Sequence, residues 1–67
     1  MLTEKQQDVY SYILKCKKEI GCYPSLGDIK NYLPEKITAQ AVAARIKWIE
    51  KKGYLIHKGK RDYKILK

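Results

Sequence analysis

The sequence predicts a mainly helical α+β domain in which three helices precede a C-terminal β-hairpin. Three observations carry that expectation. Apolar residues recur at helical spacing as far as Ile49, capping residues and Gly or Pro punctuate them, and the pattern turns to alternation after Gly53. In the first helix, Thr3 with Gln6 three residues on has the form of a capping box, so the helix starts near Glu4. Val9, Ile13, Cys16 and Ile20 form its inward stripe, and Gly21 can end it in a left-handed conformation. Pro24 prevents continuation, and Ser25 with Asp28 repeats the capping pattern. The second helix then runs from about Leu26 to Leu33, with Leu26, Ile29 and Leu33 inward, and Pro34 ends it. Thr38 caps the third helix, whose stripe is Val42, Ile46 and Ile49 and which stops at Gly53. "YLIHK" and "DYKIL", placed around a turn at "GKR", have the length and alternation of a hairpin.

The 67 residues are expected to form one domain, residues 1–67, with one modest core. At 45% hydrophobic and 33% charged, the chain has the balance of a folded domain rather than a disordered one. No apolar run reaches membrane-spanning length and no charged-then-apolar leader opens the chain, so a cytoplasmic protein with no membrane partner is expected. Cys16 and Cys22 make no disulfide framework, and with the single His57 they fall short of a zinc site. Neither metal nor cofactor is expected. His57 is expected at the surface of its strand, with no Cys, Ser or acid spaced to form a relay, so the chain does not read as an enzyme.

Charge divides the chain. Residues 1–35 hold five lysines and five acids, whereas residues 36–67 hold ten Lys or Arg against Glu50 and Asp62, which is the whole net charge of +8. A one-sided basic field is what a polyanion binder uses to neutralise phosphates and release counterions. A solvated basic face is the plainer alternative.

Three helices followed by a hairpin is the order of a winged helix-turn-helix. A third helix of this length fits the major groove, and a hairpin beside it can lie along the phosphates. With Val42 inward, Gln40, Ala44, Lys47 and Lys51 fall on the opposite face, and Ala41, Arg45 and Trp48 lie along one flank. Gln40 and Ala44 are near the helix N-terminus, where base contacts are made; Lys47, Lys51 and Lys52 are placed for the backbone. The alanines at 41, 43 and 44 either allow close approach to bases or are simply good helix formers. Lys58, Lys60 and Arg61 surround the hairpin tip and are the expected phosphate contacts of the wing.

"LTEKQQDVYSYI", "GCYPSLGDI" and a capped third helix ending in "EKKGYL" together resemble the DNA-binding domain of the LexA repressor family, over nearly the whole chain. The resemblance implies a winged-helix fold with duplex DNA as partner. The family's third helix opens with Ser-x-Asn-Ala-x-Glu-Glu, and the matching positions here are Thr38, Gln40, Ala41, Ala43 and Ala44. Both glutamates of the pattern are alanines in this chain, and the turn before the helix is one residue longer, so the family's operator does not carry over. Repressors of that family join this domain to a second one that dimerises and self-cleaves. With the chain ending at Lys67, neither property is expected. Binding through one recognition helix is weak, so a homodimer through another surface or a larger replication or transcription protein is the expected partner. Tyr10 and Leu14 on the first helix, off its core stripe, and Trp48 on the third are the candidate partner surface. Trp48 is expected to pack under the hairpin, with stacking on an unpaired base or a partner as the alternative. The leading functional expectation is a transcriptional regulator of phage, plasmid or mobile-element type that binds duplex DNA. Its rivals are an accessory subunit holding single- or double-stranded nucleic acid without sequence preference, and a protein-binding adaptor.

Overall fold

Each helix begins where a side chain takes over N–H groups that the helix itself leaves unpaired. The computed structural model describes residues 1–66, and α1 (Glu4–Ile20), α2 (Leu26–Tyr32) and α3 (Ala39–Lys51) precede β1 (Leu55–Gly59) and β2 (Asp62–Ile65). Thr3 and Gln6 close a full capping box, with the Gln6 N–H donating to Thr3 Oγ1 at 3.2 Å and the Thr3 N–H donating to Gln6 Oε1 at 3.1 Å. Ser25 and Asp28 form the same box on α2. Thr38 caps α3, where the Ala41 N–H donates to its Oγ1 at 3.1 Å. Glycine closes α1 at Gly21, with φ of 90°, and the turn after α3 at Gly53, with φ of 85°; both conformations are costly for residues bearing a Cβ.

The core is built by all five elements: Val9, Tyr10 and Ile13 of α1, Ile29 of α2, Leu33, Val42, Ile46 and Ile49 of α3, Leu55 of β1 and Tyr63 of β2. The three α3 residues are at most 1% exposed. β1 and β2 pair antiparallel, with Leu55 opposite Ile65 and His57 opposite Tyr63. The register shifts between His57 and Gly59, which leaves Lys58 as the extra residue of a bulge and Lys60 and Arg61 as the turn. Among the described residues no helix is long and apolar enough to cross a membrane.

The layout agrees with the fold class read from the sequence, and four details correct it. Ile20, expected in the core, is 71% exposed. At 17 residues, or about 25 Å, α1 outruns the seven-residue α2 packed beside it, and its buried stripe ends at Cys16. Tyr10, expected on an outer surface, is buried with its ring edge-on to Tyr54 at 5.4 Å. Because the loop before β1 packs on α1 as well, the apolar stripe is wider than one line of residues. Leu33 is a buried cap in extended conformation and not a helical residue, since the residue before a proline avoids the α region. Gly59 lies in β1, so the turn is shorter than "GKR".

Val42→Asp places an unpaired charge where the side chain is fully buried, a cost of several kcal/mol against a total stability on the order of 5 kcal/mol for so small a domain. Its cooperative thermal melt by circular dichroism should disappear; a retained melt would contradict the orientation of α3. Tyr63 supports a second test, because its hydroxyl has no hydrogen-bond partner among the described residues and burial pushes its pKa up to about 12. Unfolded tyrosine ionises near pH 10. Between about pH 10 and 12 the unfolded chain therefore loses a proton that the folded chain keeps, and stability falls as pH rises. Urea unfolding at about pH 9 and about pH 11 should show a smaller loss for Tyr63→Phe than for the wild type.

Candidate nucleic-acid interface

Burial of Val42, Ile46 and Ile49 turns the other side of α3 to solvent. Gln40, Ala44, Lys47 and Lys51 are all exposed there, as their spacing requires. Gln40, Ala43, Ala44 and Lys47 line a shallow groove whose far wall is His57 of β1. His57 also borders a second groove, with Ser25, Leu26, Gly27 and Lys60. The outer face of α3 and the hairpin are thus continuous through one histidine.

His57 is not the surface residue that the sequence reading expects. It is half-buried, its ring stacked on Tyr63 at 4.6 Å and 14°, and its Nε2 has no partner among the described residues. Its backbone N–H donates to Glu50 Oε1 at 2.8 Å, which pins β1 to α3. Strand alternation carries the signal for this placement, since residue 57 shares a face with buried Leu55.

Both arginines are ion-paired. Arg45 Nη1 lies 2.7 Å from Glu35 Oε1, in an ion pair whose arginine side chain is only 18% exposed. Arg61 Nη1 donates to Asp28 Oδ2 at 2.8 Å, tying the hairpin turn to the start of α2. Both arginines, expected at a nucleic-acid surface, are each held through one nitrogen by a carboxylate of the neutral front half. Lys52, expected toward a backbone, instead donates to Met1 O at 2.9 Å and Gln6 Oε1 at 2.8 Å, joining the end of α3 to the cap of α1. Lys47, Lys51, Lys58 and Lys60 are exposed and make no ion pair among the described residues. Thr38 is engaged as the cap, and Ala41 and Ala43 are half-buried beside the exposed face.

The candidate partner surface is divided as well. Tyr10 is in the core and Leu14 is half-buried against it, whereas Trp48 stands 52% exposed with Lys51 Nζ 4.9 Å from its ring centroid. Trp48 does not pack under the hairpin. No group of three or more His, Cys, Asp or Glu among the described residues is arranged to hold a metal ion.

The Arg45 guanidinium beside it, with the charge of Lys5, holds the Glu35 carboxyl below its usual value. Arg45→Gln should let it rise toward the ordinary carboxylate range in an NMR pH titration. An unmoved titration would mean that the pair does not form in solution. No protein-family model matches the chain, and no curated protein matches it significantly, so its function is read from this surface.

Proposed function

We propose that α3 and the hairpin form one DNA-binding surface, with α3 entering the major groove of a duplex and the hairpin serving as a wing on the adjacent phosphates. One observation carries the reading: Gln40 and Lys47 of α3 line a groove that meets, at His57, a second groove lined by Lys60 of the hairpin, and Lys51 and Lys58 of the same two elements are exposed. Lysine is a strongly hydrated point charge suited to phosphate oxygens, and phosphate contacts position a protein without specifying sequence. Gln40, exposed near the N-terminus of α3, is the one long polar side chain placed to read a base edge, and glutamine pairs well with adenine. The small side chains of Ala43 and Ala44 beside it permit close approach. On this reading the chain is a DNA-binding domain of the kind that transcriptional regulators carry, in keeping with its resemblance to the LexA domain. An accessory subunit of a larger replication or transcription protein is the second reading, and the exposed Trp48 favours it.

Each phosphate neutralised adds about 0.9 to the slope of log affinity against log salt. Lys58→Ala with Lys60→Ala should make that slope shallower by roughly 2 units on a fixed duplex. Arg61→Ala should change it less, because Asp28 already neutralises that guanidinium. A folded double variant with the wild-type slope would remove the wing from the interface. In selection from random duplexes, Gln40→Ala should lose base preference while keeping non-specific affinity; selection of the same sites as the wild type would exclude Gln40 as a reader.

A further inference from the structure

We infer that Trp48 is a stacking platform for an unpaired base, so that the surface of α3 and the wing takes single-stranded or locally opened DNA as well as closed duplex. This rests on the nucleic-acid reading above and adds the strand state to it. Trp48 is the single tryptophan of the chain, and it is half exposed in a fold that buries Tyr10 and Tyr63 almost completely. It borders an open groove with Ala44, Lys47, Glu50 and Lys51. Ala44 is too short to cover an indole, and Lys51 already lies at cation–π distance from it.

A flat apolar ring beside two ammonium groups favours an occupant that has both a flat face and negative charge. A nucleotide whose base is unpaired has both. Closed duplex offers its grooves only base edges, because the faces are stacked on one another. A second copy of the chain would bring Lys47 and Lys51 against the same two lysines, and like charges repel. An acidic polypeptide would satisfy the lysines without supplying a planar face.

As the only indole, Trp48 makes intrinsic fluorescence a local probe. The intact chain is titrated with a short oligothymidine, with a closed DNA hairpin of equal length, and with polyglutamate; binding is followed in parallel by anisotropy of labelled DNA. The oligothymidine should quench the indole strongly. The hairpin should bind with little quenching, and polyglutamate should not quench. Trp48→Ala removes an exposed side chain outside the core, so it should fold normally. It should weaken oligothymidine binding roughly tenfold and hairpin binding less than about twofold, and Trp48→Tyr should restore most of the loss. Oligothymidine binding without quenching, or equal weakening of both DNAs by Trp48→Ala, would overturn the inference while leaving the nucleic-acid reading in place. Quenching by polyglutamate alone would assign Trp48 to an acidic protein. Absence of binding to either DNA by the folded chain would overturn both readings.

Discussion

Burial of Val42, Ile46 and Ile49 on one side of α3 is the constraint on which the rest of the surface depends. A helix turns about 100° per residue, so fixing those three toward the core leaves Gln40, Ala44, Lys47 and Lys51 no direction but outward. Each such side chain contributes on the order of 1.5–3 kcal/mol when fully buried. An exposed ion pair such as Arg61–Asp28 contributes about 0–1 kcal/mol. The apolar stripe therefore sets the orientation of α3, and the polar joints refine its position. Those joints lie at its middle and its end: Arg45 to Glu35 midway, and Glu50 to β1 and Lys52 to the cap of α1 near the finish.

The division of charge along the chain follows from the same arrangement. The neutral first half is not inert, because Asp28 and Glu35 each accept an arginine from the basic half. Both carboxyls are held below their usual values, Asp28 first by the backbone N–H of Ser25 and then by Arg61, Glu35 first by Arg45. Arg45, Arg61 and Lys52 thus join the two halves, and Lys47, Lys51, Lys58 and Lys60 face solvent. On the proposed reading, a surface of lysines with one exposed glutamine would contact phosphates broadly and read sequence at few positions.

The fold was legible wherever local chemistry decides. Thr3–Gln6, Ser25–Asp28 and Thr38 mark the helix starts because a cap acts within three residues of itself. The stripe of α3 is legible because three elements press on one side of it. Ile20 was misread for the opposite reason: its periodicity continues the α1 stripe, but nothing in the local sequence tells how far the partner elements extend. Tyr10 needed knowledge that Tyr54 returns to α1 from beyond α3. The ion pairs of Arg45 and Arg61 were not legible because their partners lie in the front half of the chain, Asp28 being 33 residues from Arg61. Strand alternation already placed His57 on the face of Leu55, a signal outweighed by the expectation of an exposed wing.

The central claim is that α3 and the hairpin form one nucleic-acid surface. Its most direct test is an amide chemical-shift map of the intact chain titrated with a short DNA duplex. The account predicts that shifts concentrate at Gln40, Ala44, Lys47, Lys51, His57, Lys58 and Lys60, while Ile20, Cys22 and Tyr32 on the α1–α2 side stay still. Shifts centred on residues 20–32, with α3 and the hairpin unmoved, would contradict it.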